Sequence, residues 1–306
     1  MRNIPLQSVY GLCVLATVGG ASRRALFMNR MADISMTRIA ALVLCMLTAL
    51  PLVSCKSVQT TQPGVVGVDR KQSMMLSSGT VTREAGKAYQ QVLQEASKKG
   101  TLNRDAAQVA RVRGIAQRLI PVTAAFRPDG PSWAWETNVI TSKDVNAWCM
   151  PGGKIVVYTG LIERLKVTDD ELAAVMGHEI AHALREHGRE RASQALAQGL
   201  GIVVIGAALG LDEAGFDLVE MITDLTISLP NSRGHETEAD RIGVELVARA
   251  GYDPRAAVTL WHKMAQAGGG AMPQFLSTHP SPENRARDLT NYSAQVMPLY
   301  EAARRR

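Results

Sequence analysis

The chain has 306 residues, of which 46% are hydrophobic, 20% are charged and 5% are aromatic. This composition, without a repeat of about 20–50 residues, excludes a disordered, fibrous or solenoid protein and allows one large domain or two small ones. The formal net charge of +6 is concentrated in residues 1–55, which hold five Arg and a single acid. Residues 56–306 are therefore nearly neutral, and electrostatics gives no reason to expect nucleic acid as a partner.

The N-terminus has the pattern of an export signal. Met36-Thr-Arg precedes an apolar run, Ile39–Leu50, and the tetrapeptide Leu-Val-Ser-Cys55 follows. A positive charge, about 7–15 apolar residues and a small-residue cleavage site are typical of a signal peptide. The tetrapeptide resembles a bacterial lipobox, which implies an acylated Cys55, a lipid anchor and a periplasmic location, with Lys56 favouring the outer membrane. A plain membrane anchor or a coincidental Cys is the alternative.

These patterns divide the chain into three parts. Residues 1–55 are predicted to be a leader, of which 1–35 fit poorly before the signal and are predicted not to be translated. Residues 56–80 are rich in Gln, Thr, Gly and Ser without a helical period, which predicts a flexible tether. Residues 81–300 are predicted to form the main domain, in which Cys149 is a single cysteine without a disulfide partner.

Two helices and a β-hairpin are predicted at the start of this domain. The helices run roughly over Arg83–Lys99 and Asn103–Ile120, and Pro121 is expected to end the second. The region Trp133–Tyr158 is rich in β-branched and aromatic residues. Within it, the sequence Pro-Gly-Gly at 151–153 separates two apolar runs, which predicts a hairpin.

The strongest local signals lie in a helix predicted to begin near Thr168. Thr168 and Glu171 form a capping-box pattern, and the two Asp between them suit the helix dipole. Further along, His178-Glu179-Ile-Ala-His182 is an H-E-x-x-H motif, whose two imidazoles share one helix face and can bind one zinc ion. Glu179 can then accept the proton of the attacking water. A solvated helix with incidental histidines is the alternative, which the apolar neighbours of the motif disfavour.

A catalytic zinc site needs a third protein ligand and one open position. Downstream, Glu236-Thr-Glu-Ala-Asp240 opens another predicted helix, in which Glu236 and Asp240 share a face and Glu238 points elsewhere. This spacing allows Glu236 to bind the metal and Asp240 to accept a hydrogen bond from a ligand imidazole. An ordinary acidic first turn is the alternative. His187 lies half a turn round the helix from His178 and is not expected to be a ligand.

Four segments resemble the zinc metallopeptidases related to HtpX and the CAAX prenyl protease, in the soluble branch of BepA, LoiP and the Oma-type peptidases. They are Asn146–Ile162, the H-E-x-x-H helix, Ser232–Asp240 and Ser277–Arg285, and they stand in the order that the family has. The resemblance implies an α+β, mainly helical domain of the gluzincin type with a small β-hairpin or sheet at the active-site cleft.

The same resemblance implies one zinc ion per chain. Its ligands would be His178, His182 and Glu236, with Glu179 as the general base. Asp240 would lie outside the ligand set and orient a ligand. Hydrolysis of the peptide bond would then proceed without a covalent intermediate.

The resemblance also implies where the substrate binds. An extended peptide would add by β-augmentation to the edge of the strand formed by Ile155, Val156, Val157 and Tyr158. His279 would either donate to the developing oxyanion or occupy the open zinc position and keep the enzyme latent. A loop histidine before a turn-forming proline is the alternative.

The function predicted from the sequence is a periplasmic, membrane-anchored zinc metalloendopeptidase that cleaves misfolded or misassembled envelope proteins. The alternative is a chaperone-like outer-membrane assembly factor with a latent metal site. The apolar stretch Ala192–Leu211 is long enough to span a bilayer. A single crossing there would separate Glu236 from His178 and His182, so a buried or cleft-capping helical hairpin is predicted instead.

Overall fold

The computed structural model divides the chain into two units, Met1–Ser54 and Cys55–Arg306. It describes residues 56–209, 218–267, 274–280 and 284–305, all of which belong to the second unit. The predicted leader and its Cys55 lie outside the described residues, and acylation of Cys55 stays a prediction.

The described residues are mostly helical. The first part of the chain contains β1 (Lys56–Val58), β2 (Gln72–Met74), α1 (Ser78–Lys98), α2 (Ala106–Val122), β3 (Glu136–Ile140), β4 (Ala147–Met150) and β5 (Lys154–Tyr158). The second part contains α3 (Thr159–Leu165), α4 (Asp169–Leu184), α5 (His187–Leu209), α6 (Leu218–Thr223), α7 (Arg233–Arg249), α8 (Ala256–Ala267), α9 (Gln274–Thr278) and α10 (Arg285–Arg304). This architecture confirms the predicted α+β, mainly helical fold.

Helix α4 begins where the sequence predicts it. The Thr168 hydroxyl accepts a hydrogen bond from the Glu171 N–H at 3.2 Å, and the Glu171 carboxylate accepts one from the Thr168 N–H at 2.8 Å. The helix ends at Leu184, and Glu186 then takes the left-handed conformation with φ of 52°. A new helix, α5, then starts at His187.

Helix α2 differs from the prediction at both ends. Asp105 caps its first turn by accepting hydrogen bonds from the N–H groups of Ala107 and Gln108. Pro121 was expected to stop the helix but lies inside its last turn. A proline is tolerated there because it removes one hydrogen bond near a helix end rather than interrupting a long ladder.

The predicted hairpin is present, and both of its turn glycines, Gly152 and Gly153, have φ of 84°. Strands β4 and β5 pair antiparallel, while β3 pairs with the other side of β5 in parallel. The strand order β3-β5-β4 makes β5 the central strand. The prediction that Ile155–Tyr158 offers a free edge to substrate is therefore wrong, because both sides of that strand are already hydrogen-bonded.

Residues 56–80 do not form a flexible tether. Strands β1 and β2 pair antiparallel, and α1 already begins at Ser78. Val66, Val68 and Met74 are buried against the rest of the unit. We call residues 56–76 the N-terminal strap. Its composition gives no periodic signal because its strands are short and its polar side chains make specific long-range hydrogen bonds.

Helix α4 runs through the centre of the unit and packs against α2, α7, α8 and β4. The crossing with α7 is close because Gly177 faces Gly243, and a Cβ on Gly177 would lie 3.0 Å from the Gly243 carbonyl oxygen. Helix α5 continues as one helix through the apolar stretch to Leu209. Within the described ranges, no helix is both long enough and apolar enough to span a bilayer.

Candidate metal centre

Three elements bring four buried side chains together. His178 and His182 come from α4, Glu236 from the first turn of α7, and His279 from the residue after α9. One ligand atom from each of them lies within 4.8 Å of the others. The sequence predicted His178, His182 and Glu236 as ligands, and the structure places them in one cluster with His279.

The spacing of these atoms fits a tetrahedral zinc ion. Zinc bonds of about 2.0–2.1 Å place tetrahedral ligand atoms about 3.3–3.4 Å apart. The Nε2 atom of His178 lies 3.1 Å from His182 Nε2 and 3.4 Å from Glu236 Oε2, and His182 Nε2 lies 3.3 Å from Glu236 Oε1. His279 Nδ1 lies 3.2 Å from His178 Nε2 and 3.0 Å from Glu236 Oε1. The donor set and its geometry therefore suit zinc.

The protonation states of Glu236 and His182 favour a cation as well. Burial would raise the pKa of Glu236, but the charge of His279 and the hydrogen bond from His178 hold that pKa well below its usual range. Burial lowers the pKa of His182 well below its usual value. An ionised carboxylate and a neutral imidazole are the forms that bind a metal.

Asp240 and Arg285 hold two of these groups in place. Asp240 Oδ1 lies 3.0 Å from His178 Nδ1, so it accepts a hydrogen bond from the nitrogen that faces away from the cluster. Arg285 donates to Asp240 at 2.7 Å and to Glu236 at 3.1 Å. Its guanidinium also stacks on Trp261 at 3.5 Å. The structure thus gives Asp240 the predicted contact and adds Arg285, whose position in α10 no local pattern reveals.

Glu179 lies beside the cluster with its carboxylate buried. Among the described residues, its Oε1 atom accepts no hydrogen bond, and the Nε2 atom of His279 lies 3.4 Å away. Burial raises the pKa of Glu179. A buried carboxylate with a raised pKa and an oxygen that accepts no hydrogen bond, next to a metal site, is suited to accept and return a proton.

A small cavity of about 30 Å³ adjoins Glu179. Its lining includes Cys149 of β4 and Pro151, together with Leu225 and Asn231 from the segment after α6. The strand beside the metal centre is therefore β4 rather than β5. This correction moves the expected peptide-binding edge by one strand.

His187 lies outside the cluster and contacts one of its members. Its Nδ1 atom lies 2.8 Å from His182 Nδ1, and its Nε2 atom lies 3.0 Å from Glu238 Oε2. Burial lowers the pKa of His187 to about 4, although the contact with Glu238 opposes this shift. His235 stacks on His187 with ring centroids 4.3 Å apart. Sequence reasoning missed the contacts of His187 with Glu238 and His235, because they join residues about fifty positions apart.

Several known proteins are similar to this chain over part of their length. The mitochondrial metalloendopeptidase OMA1 of Arabidopsis thaliana is 41% identical over 172 residues, which cover 55% of this chain and 34% of that protein. The OMA1 of Bos taurus is 35% identical over 225 residues, covering 70% and 42%. The beta-barrel assembly-enhancing protease of Escherichia coli is 30% identical over 177 residues, covering 53% and 35%. The chain thus spans less than half of the length of each of these relatives.

These relatives contradict the predicted location. The sequence predicts a periplasmic protein held at the outer membrane by a lipid, whereas relatives with up to 41% identity are mitochondrial metalloendopeptidases. The periplasmic, outer-membrane location is therefore wrong. The location was predicted from the lipobox resemblance, and a tetrapeptide of common residues that ends in a cysteine carries little specificity.

A family comparison covers more than half of the chain. The model of peptidase family M48 matches residues 106–293, which include all four clustered side chains and Glu179. The match confirms the predicted family, the metalloendopeptidase class and zinc as the metal. This chain belongs to peptidase family M48.

Proposed function

We propose that this chain hydrolyses internal peptide bonds of unfolded or misassembled proteins at a single zinc site, as part of protein quality control. The observation that carries the proposal is the buried cluster of His178, His182, Glu236 and His279, with the buried carboxylate of Glu179 beside it, whose Oε1 atom accepts no hydrogen bond among the described residues. A structural site would not need that carboxylate. The name of the Escherichia coli relative, a beta-barrel assembly-enhancing protease, supports misassembled proteins as substrates.

The residues divide the chemistry between them. His178, His182 and Glu236 would hold the zinc, which supplies Lewis acidity for the scissile carbonyl and the attacking water. Glu179 takes the proton of that water as it attacks and returns it to the leaving amine. Asp240 and Arg285 keep His178 and Glu236 oriented throughout.

The substrate would bind to β4. This strand lies at the edge of the described sheet, paired with β5, and its Cys149 lines the cavity at Glu179. An extended peptide can add to such an edge through main-chain hydrogen bonds, which require no particular side-chain sequence. Unfolded proteins expose extended segments, so this mode of binding suits them.

His279 closes the site in this conformation. Its Nδ1 atom lies within 3.2 Å of both His178 Nε2 and Glu236 Oε1, among the ligand atoms rather than above them. Of the two roles implied by the family resemblance, we propose the latch, because a catalytic zinc needs one open position. This closed arrangement also favours the second candidate function, an assembly factor of chaperone type that keeps the metal site latent.

Zinc content and casein cleavage test the proposed function. We compare the full chain with Glu179→Gln, which keeps the shape of the side chain but cannot accept a proton. Wild type and variant should each hold about one zinc ion, and the variant should lose about 10²- to 10⁴-fold of the cleavage rate. Glu163→Gln, at an exposed glutamate of α3, is the matched control and should behave as wild type.

Each other result has a defined meaning. Wild type without bound zinc would contradict the metal centre itself. Zinc in both proteins with cleavage by neither would favour the latent assembly factor. Equal cleavage by wild type and Glu179→Gln would refute the role of Glu179 as general base.

A further inference from the structure

The two zinc-facing histidines are supported in different ways. His178 uses its outward nitrogen to contact a carboxylate, Asp240, directly. His182 uses its outward nitrogen, Nδ1, to contact another histidine, with 2.8 Å between the Nδ1 atoms of His182 and His187. Two ring nitrogens at this distance share a single proton, so one of them donates and the other accepts.

The far side of His187 decides which nitrogen donates. Its Nε2 atom lies 3.0 Å from Glu238 Oε2, and an ionised carboxylate can only accept. His187 therefore carries its proton on Nε2 and presents a lone pair on Nδ1. His182 must then donate from its own Nδ1, which leaves a lone pair on the Nε2 atom that faces the cluster.

Glu238 is itself fixed by two arginines. Arg185, at the end of α4, donates to it at 2.8 Å, and Arg70 of the N-terminal strap donates at 2.5 Å. His187 is only 1% exposed, and one face of its ring stacks on His235. The path from Arg70 to His182 is therefore joined at every step by a hydrogen bond, and beyond the half-exposed Arg70 its members are buried.

We propose that His187 is a positioning residue for the zinc ligand His182. By accepting the hydrogen bond of His182 Nδ1 it fixes both the tautomer and the ring orientation of that ligand, and its contact with Glu238 is what makes it an acceptor. Hydrogen-bond partners of this kind change metal affinity by about 10- to 100-fold when they are removed. The inference rests on the zinc centre of the proposed function. In this arrangement a neutral histidine, His187, lies between the ligand His182 and the carboxylate of Glu238, whereas the ligand His178 contacts the carboxylate of Asp240 directly.

Two amide substitutions separate positioning from packing. In His187→Asn the amide oxygen is bonded to Cγ, as Nδ1 is in histidine, so it can still accept the hydrogen bond from His182. In His187→Gln the amide lies one bond further out, near the position of Nε2, so it can reach Glu238 but leaves His182 without an acceptor. Both variants are polar and similar in size, so a general packing role would affect them alike.

The measurement is the zinc dissociation constant of the full chain, obtained by competition with a chromogenic chelator. We expect His187→Asn to stay within about threefold of wild type and His187→Gln to bind about 10- to 100-fold more weakly. His262→Gln, at an exposed histidine of α8, is the matched control and should not change the constant. Urea unfolding of the chelator-treated proteins should place the Asn and Gln variants at equal stability.

The outcomes distinguish this inference from the proposed function. If wild type binds no zinc, the zinc centre fails and the inference fails with it. If wild type binds zinc and the two variants bind it equally well, or weaken in parallel with their unfolding midpoints, His187 does not position His182 and the inference is overturned.

Discussion

The close crossing of α4 and α7 makes Gly243→Ala a sharp test of how the metal centre is assembled. A Cβ at this position would lie 3.0 Å from the backbone nitrogen of His178, 3.1 Å from its Cα and 3.2 Å from the carbonyl carbon of Gly177. All three are backbone atoms, which cannot rotate away. The two helices must therefore separate by a few tenths of an ångström.

The free energy of unfolding should fall by about 1 kcal/mol. Overpacking of a well-packed core costs about 1–3 kcal/mol, and the better helix propensity of alanine returns up to about 1 kcal/mol. Zinc affinity should be more sensitive than stability. Glu236 and Asp240 lie on the same helix as Gly243, and metal–ligand distances tolerate only about 0.2 Å. We therefore expect zinc binding to weaken about tenfold.

Urea unfolding and zinc titration of the same preparations measure both effects. The matched control is Gly114→Ala in α2, where an added Cβ would meet nothing within 4 Å. That control should be stabilised by up to about 1 kcal/mol and should bind zinc as wild type does. If Gly243→Ala matched this control in both measurements, the argument from close helix packing would be refuted.

Two further predictions concern the groups around the cluster. His279→Ala should open the fourth zinc position, so casein cleavage should rise at least about tenfold while zinc binding weakens. The control Ser277→Ala, at an exposed serine, should change neither cleavage nor zinc binding. Unchanged cleavage by His279→Ala would contradict the latch. Glu238→Gln should lower the free energy of unfolding at pH 7 and by less than about half as much at pH 3, measured by urea unfolding. Burial would raise the pKa of Glu238, but hydrogen bonds from His187 and Arg70 lower it to about 2 from an ordinary value of 4.5. The stability that this carboxylate contributes, up to about 3 kcal/mol, is present above about pH 4.5 and is lost as the pH falls toward 2. An equal loss at both pH values would count against this ionised network.

The parts of the site that the sequence predicts are those set by local periodicity. The cap at Thr168 and the spacing of His178 and His182 depend only on the geometry of one helix, and the structure has both. Glu236 and Asp240 share a helix face for the same reason. The pairing of one helix with another does not follow from local periodicity. The sequence predicts it only through the resemblance to a known family.

The parts that the sequence could not predict depend on contacts between distant segments. The parallel pairing of β3 with β5 inserts β5 between its neighbours, and no pattern within residues 154–158 indicates that order. Arg285 reaches Glu236 from 49 positions away, and Arg70 reaches Glu238 from 168. Such polar contacts leave no periodic pattern in the sequence, because each is made by a single side chain in an otherwise ordinary segment.

The buried charges also fix the register of α7 against α4. Burying an ion pair gives little net stability, but removing one partner leaves an uncompensated charge that costs about 3–5 kcal/mol. Three acidic residues of α7, at every second position, are each matched to a different partner, Glu236 to Arg285, Glu238 to Arg185 and Asp240 to His178. A shift of one residue would rotate these side chains by about 100° and break every pair at once. The network therefore selects the one packing in which Glu236 reaches His178 and His182, because every neighbouring register leaves several buried charges unpaired.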